Sequence, residues 1–196
     1  MHDAKRDLAK ILVENSYLRG GDFVLSSGRR SSFYFDCKRT THFAPAMPLI
    51  GRVFLDVFRS TGQIPKSIGG LTTGADPIAL AVAQYSLSVA GSPPINSFIV
   101  RKERKEHGTM KWVDGFVAPR ESIAVVDDVV TSGGSVIRAV QRCREEGLQI
   151  LHVAVLVDRE EGGLQNIEHE VPGVPVTAIF KKSDLEEILS QEQGTA

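Results

Sequence analysis

The spacing of hydrophobic positions changes along this chain, and the changes mark out its elements. Leu8, Ile11 and Leu12 fall on one face of an otherwise charged segment, which predicts a helix over 4–18, stopped at Gly20-Gly21. Over 23–37 the period drops to two. Phe23 alternates with Leu25, S-S-G-R-R-S supplies a turn, and Phe33, Phe35 and Cys37 alternate again, which predicts a hairpin. Leu49, Ile50, Val53, Phe54, Val57 and Phe58 return to helical spacing and give the clearest amphipathic pattern in the chain. Short continuous apolar runs then predict strands at 67–71, 96–100, 123–126, 151–157 and 174–180. Between them lie a helix opened by Pro77 and another presenting Val136, Ala139, Val140 and Cys143, closed by Gly147. S-D-L-E over 183–186 reads as a capping box for a short C-terminal helix.

Strands that are apolar throughout, alternating with helices, suit a sheet covered on both faces. The expected fold class is therefore α/β: a doubly wound, mainly parallel sheet flanked by helices. The expected organisation is a single domain over 1–196, with a small N-terminal hood formed mainly by 1–40 and a core over about 45–196. Ligands on such sheets bind outside the carboxyl ends of the strands, so the stretches after those strands are expected to converge.

Composition narrows the function more by exclusion than by assertion. The formal net charge is −1, which argues against a general nucleic-acid surface. The two cysteines, Cys37 and Cys143, fit no metal spacing, and Cys143 on an apolar helix face reads as a buried thiol. No signal-like N-terminus and no apolar run long enough to span a bilayer are visible, so no membrane partner and a cytoplasmic location are expected.

The chemistry is concentrated at S-I-A-V-V-D-D-V-V-T-S-G-G-S, residues 122–135. A buried strand delivers two adjacent carboxylates, Asp127 and Asp128, into a small-residue loop that feeds a helix. Backbone N–H groups of the loop over 131–135 and the positive end of the helix make a monophosphate cradle. The carboxylates repel phosphate but accept hydrogen bonds from vicinal sugar hydroxyls. A sugar with a phosphate at one end satisfies both halves. The motif resembles the phosphoribosyl-diphosphate signature of the type I phosphoribosyltransferases, and no Gly-Lys-Ser/Thr follows the glycines as it would in a nucleotide P-loop. The resemblance implies that family's fold, with ribose hydroxyls on Asp127 and Asp128 and the rest of the substrate on Val129, Val130, Thr131, Ser132, Gly133, Gly134 and Ser135.

Three further stretches specify the base. R-K-E-R-K-E-H-G over 101–108 resembles the catalytic loop of the orotate phosphoribosyltransferases. Cations closing over a departing diphosphate stabilise the charge that develops on it. The resemblance implies that Arg101, Lys102, Lys105 and His107 contact the diphosphate. It also implies a homodimer with a shared active site, in which Lys102 is catalytic and reaches the partner subunit's site. D-R-E-E-G-G over 158–163 resembles the same family's orotate-binding arginine, and the guanidinium fork of Arg159 can take a carboxylate bidentately. The hood turn, S-G-R-R-S-S-F-Y-F-D over 27–36, resembles the family's hairpin, implying that Tyr34 and Phe35 cover the base, with Thr131 beside it. Two departures stand out: some relatives carry lysine where this chain has Ser26 and Asp76.

The expected activity is therefore transfer of phosphoribosyl from phosphoribosyl diphosphate to orotate N1. The product is orotidine monophosphate, in pyrimidine synthesis. Mg²⁺ is the expected cofactor, held mainly by the substrate, with no dedicated protein metal site. The rival readings are a phosphoribosyltransferase for a purine or uracil, and a regulatory protein that senses phosphoribosyl diphosphate without turnover.

Overall fold

The computed structural model describes residues 2–24, 30–104 and 111–193. Helix α1 (His2–Ser16) leads into strand β1 (Tyr17–Val24), which pairs antiparallel with β2 (Arg30–Phe35). The helix ends earlier than its periodicity predicts, and Gly20-Gly21 lies within β1, where the pairing register shifts between Arg19 and Phe23. Glycine marks an irregular strand here and not a helix stop. Residues 25–29, which include Leu25 and most of the predicted turn, lie outside the described residues. Cys37 does not continue β2. It stands at the N-cap of a one-turn helix, α2 (Lys38–Thr41), buried beneath it.

The main sheet has six strands in the order β5-β4-β3-β6-β7-β8. These are β3 (Ser67–Leu71), β4 (Asn96–Val100), β5 (Val113–Gly115), β6 (Ser122–Val130), β7 (Gln149–Asp158) and β8 (Val176–Lys181). All pairings are parallel except that of the short edge strand β5, which runs antiparallel to β4. Helices α3 (Met47–Ser60), α4 (Ala75–Ser88), α5 (Gly134–Glu145), α6 (Gly163–Glu170) and α7 (Lys182–Gln193) cover the sheet.

Side-chain alternation along the central strand divides the core in two. Ala124 and Val126 face a cluster with Phe54 and Phe58 of α3, whereas Ile123 and Val125 face one with Val136, Val140 and Cys143 of α5. Leu8 and Leu12 join the first cluster, so α1 packs into the helical layer beside α3. The stripe predicted on α3 is realised: Ile50, Phe54 and Phe58 are fully buried, and truncating one such phenylalanine to alanine costs about 3–5 kcal/mol.

The capping box predicted at Ser183 does not form. α7 already begins at Lys182, and the Asp184 carboxylate accepts the Lys181 N–H at 3.0 Å. Ser183 donates its own N–H and hydroxyl to Glu160, at 2.9 and 3.1 Å, a long-range partner that the local pattern does not contain. Among the described residues, no helix is long and apolar enough to cross a membrane.

Candidate active site

Strand order reverses between β3 and β6. β3 leads through α4 to β4 on one side, while β6 leads through α5 to β7 on the other. At such a switch the connections diverge and leave a crevice at the carboxyl ends. The turn after β3, Thr72 to Gly74, enters it from one wall, and the acidic end of β6 forms the floor. A Cβ on Gly74 would lie 2.5 Å from Asp128 Oδ1 and 2.6 Å from Asp127 Oδ1, so glycine is what lets this backbone pass over both acids.

Asp127 and Asp128 lie inside β6, not in the loop after it, and both are buried. Each carboxylate folds back onto the next amide: Asp127 Oδ1 accepts the Asp128 N–H at 3.0 Å, and Asp128 Oδ1 accepts the Val129 N–H at 3.0 Å. That leaves Asp128 Oδ2 buried without a hydrogen-bond donor, 3.5 Å from the Lys38 ammonium. Burial, and after it the neighbouring Asp128 charge, pushes the Asp127 carboxyl well above the usual carboxylate range; Lys38 opposes the shift. A pair of acids held this way has unused acceptor capacity aimed at whatever enters.

Beyond the acids the chain makes the cradle. Gly133 adopts φ 84°, a left-handed conformation open to glycine, and forms the N-cap of α5 with no side chain capping its amides. The first-turn N–H groups are therefore available to an anion at the positive end of the helix. Asn166 of α6 braces the turn by donating from Nδ2 to the Ser132 carbonyl at 3.0 Å.

These parts open onto one cavity of about 400 Å³. Asp127, Asp128, Val129, Thr131 and Ser135 line its floor, and Thr72, Thr73 and Gly74 line one wall. Phe35 and Lys38 close it from the hood side, while Lys102 and Arg159 reach it from the ends of β4 and β7. Two carboxylates and three cations thus share a space large enough for a sugar phosphate and a planar base.

The family model for the phosphoribosyl transferase domain matches residues 46–183. The chain is 44% identical over 184 residues to an orotate phosphoribosyltransferase of Aquifex aeolicus, covering 92% of this chain and 97% of that one. The chain belongs to the orotate phosphoribosyltransferase family. Solved structures agree. A Mycobacterium tuberculosis orotate phosphoribosyltransferase in complex with Fe(III) dicitrate superposes with a TM-score of 0.80 at 33% identity, covering 93% of this chain and 98% of that one. The same mycobacterial enzyme in complex with 5-phospho-α-D-ribosyl 1-diphosphate gives 0.76 at 31%, covering 93% and 99%.

Within this family frame the expected site residues divide into three groups. Asp127, Asp128, Val129, Thr131, Ser135, Phe35, Lys102 and Arg159 come together around the cavity, with Ser132, Gly133 and Gly134 making the turn between. Val130 is buried below the floor, its carbonyl accepting the Arg159 N–H at 3.0 Å, and Arg101 is ion-paired with Asp114 away from the cavity. Lys105 and His107 lie outside the described residues, as does the side chain of Tyr34, whose backbone pairs with Leu18.

Arg159 is nine-tenths buried, with Nη2 3.0 Å from Glu161 Oε1. The turn that carries it is tied down, since Asp158 Oδ1 accepts the Glu160 N–H at 2.9 Å and the Glu160 carboxylate holds the start of α7. Lys38 is the charged cavity residue that sequence reasoning missed. Its only local signal is a cation three residues after the hood strand; its approach to Asp128 depends on α2, which packs against α1. Asp76, where some relatives carry lysine, has its carboxyl raised by burial, opposed by the His42 charge, and does not line the cavity.

Proposed function

We propose that this chain is a cytoplasmic, single-domain, Mg²⁺-dependent enzyme that joins orotate N1 to C1′ of phosphoribosyl diphosphate. The observation that carries the reading is one cavity holding a sugar-hydroxyl site, a phosphate cradle and a buried arginine. Asp127 and Asp128 accept the ribose hydroxyls, and the amides around Gly133 take the 5-phosphate. Arg159 receives the orotate carboxylate, which uracil and the purines lack. Phe35, presented by the hood, covers the base together with Tyr34.

In the reaction the C1′–O bond to diphosphate breaks, its electron pair leaving with the diphosphate, and the N1–C1′ bond forms as N1 gives up its proton. An oxocarbenium-like transition state needs no covalent nucleophile. Lys102, with Lys105 and His107, stabilises the departing charge, while Arg101, paired with Asp114, anchors the base of their loop. Mg²⁺ prefers phosphate and water oxygens; Asp127 and Asp128, with unused acceptor oxygens, would help hold such an ion, which when bound would supply neutralising charge at the leaving group. The rate then comes from positioning and from electrostatics.

The test is orotate-dependent release of diphosphate. Release with orotate and none with uracil or a purine is expected; a preference for either alternative base, or binding without release, overturns the assignment.

The same reading makes the active form a homodimer sharing its sites through the loop that follows β4. Lys102 also lines the cavity of its own chain, so hybrid dimers decide which site it serves. Lys102→Ala and Asp128→Ala are each expected to be inactive. Refolded together, they recover about a quarter of wild-type activity if Lys102 crosses to the partner, because one site of each hybrid then carries no defect. No recovery from confirmed hybrids assigns Lys102 to its own site.

A further inference from the structure

The two ends of the catalytic loop close on each other over the last turns of α5, and one side chain spans the junction. Arg142 donates from Nη1 to the Arg101 carbonyl at 2.5 Å and from Nη2 to the Lys102 carbonyl at 2.9 Å. The same guanidinium stacks on the ring of Trp112, 4.2 Å from its centroid, with Arg104 over the ring at 5.8 Å. The indole is itself fixed: Nε1 donates to Glu145 Oε2 at 2.7 Å and the backbone N–H donates to Glu146 Oε1 at 2.8 Å. Across the junction, the Arg101 N–H reaches the Trp112 carbonyl at 2.9 Å, and the Arg101 side chain pairs with Asp114.

We propose that Arg142 is a positioning residue for the transfer reaction, acting through Lys102. A planar guanidinium can bridge two successive carbonyls while lying flat on an aromatic ring, and an ammonium cannot. The bridge fixes the peptide planes on both sides of the Lys102 Cα, so it sets the direction in which the Lys102 side chain leaves the backbone just after β4. It also ties the loop base to the helix whose first turn makes the phosphate cradle. α5 has 12 residues, about 18 Å at the usual rise, so phosphate site and loop base are opposite ends of one rigid rod. The inference rests on the proposed role of Lys102 at the diphosphate, whichever subunit's site it serves.

The experiment is a double-mutant cycle on binding of inorganic diphosphate with Mg²⁺, followed by calorimetry, which needs no orotate and so stands apart from the identity of the base. Arg142→Ala is expected to weaken binding about tenfold, as loss of one aligned charge-assisted contact does, and to lower kcat while the KM for orotate stays within about twofold. Lys102→Ala should weaken binding at least as much. The double variant should match Lys102→Ala alone, because Arg142 has nothing left to position. Arg142→Lys keeps the charge and should behave like Arg142→Ala.

Arg144→Ala is the folding control. It removes an arginine from the same helical turn that reaches the Glu170 carbonyl of α6 instead, at 3.2 Å. It should lower thermal stability comparably and leave diphosphate affinity alone. Additive losses in the cycle, rescue by Arg142→Lys, or an equal affinity loss in Arg144→Ala would each overturn the proposal. Undiminished affinity in Lys102→Ala would instead remove the role of Lys102 on which it rests.

Discussion

Two buried titratable sites lie on neighbouring strands of this sheet, and they differ in one respect that decides their meaning. On β6, Asp127 has its carboxyl raised by burial and by Asp128, and it faces a cavity with Lys38, Lys102 and Arg159 around it. On β7, His152 has its pKa lowered to about 4 by burial, and it faces the ring of Phe58 edge-on at 5.4 Å and the Thr177 hydroxyl at 3.1 Å. Burial perturbs both. Only the first has unused acceptor oxygens beside open space and cations, so a displaced pKa becomes functional evidence when it comes with room for a ligand.

The largest expected effect separates stability from activity at the acid pair. Asp127→Asn with Asp128→Asn should lower turnover about a thousandfold or more by removing the ribose acceptors, as losses of preorganised polar contacts do. The fold should gain. The folded value for Asp127 lies above its unfolded 3.8, so the stability it contributes is complete below that pH and is lost as pH rises towards the folded value. At neutral pH the neutral amide removes that cost, and Tm should rise by about 2–4 °C for each kcal/mol relieved. A variant that loses activity and Tm together would make the pair structural, like His152.

Next in size is Arg159→Ala. Loss of a charge-assisted pair to a carboxylate costs about 2–3 kcal/mol, so the KM for orotate should rise about a hundredfold with that for phosphoribosyl diphosphate little changed. Equal effects on both substrates would move Arg159 out of the base pocket.

A smaller effect belongs to Lys38. Its ammonium offsets the acid pair and lines the cavity in which phosphoribosyl diphosphate is proposed to bind. Lys38→Ala should raise the KM for phosphoribosyl diphosphate about tenfold, with recovery in Lys38→Arg. Kinetics unmoved by both substitutions would leave Lys38 as a counter-ion for Asp128 alone.

What the sequence made legible follows the range of the interactions involved. The acid pair and T-S-G-G-S are contiguous, so strand, floor and cradle could be read together; the D-R-E-E-G-G turn is likewise one local unit. Lys38 and Arg142 were not legible, because neither touches its partner until distant elements pack. Lys38 meets Asp128 through α2, and Arg142 meets the Arg101 carbonyl from the far end of α5. β5 escaped for another reason. Three residues pairing antiparallel at a sheet edge show no periodicity against the charged loop that precedes them. Gly20-Gly21 misled because the same residues that end helices also interrupt strands.

The smallest effect, confined to stability, sharpens the other half of the comparison. His152 is fully buried, its Nε2 at the Thr177 hydroxyl and its Nδ1 without a hydrogen-bond partner. The folded value of about 4 lies below the ordinary 6.5, so the unfolded chain binds the proton more readily. Between those values the unfolded state carries more protons, and the stability contributed by neutral His152 is complete above about pH 6.5 and lost as pH falls towards 4. His152→Gln keeps a hydrogen-bonding partner for Thr177 and removes the titration. Its Tm should therefore depend less steeply on pH over that window than the wild type's, while kcat and both KM values at neutral pH stay within about twofold, since His152 does not line the cavity. Parallel Tm-against-pH curves for the two proteins would show that His152 carries no part of the acid sensitivity. A change in either KM at neutral pH would show that the enclosed site and the open one are coupled.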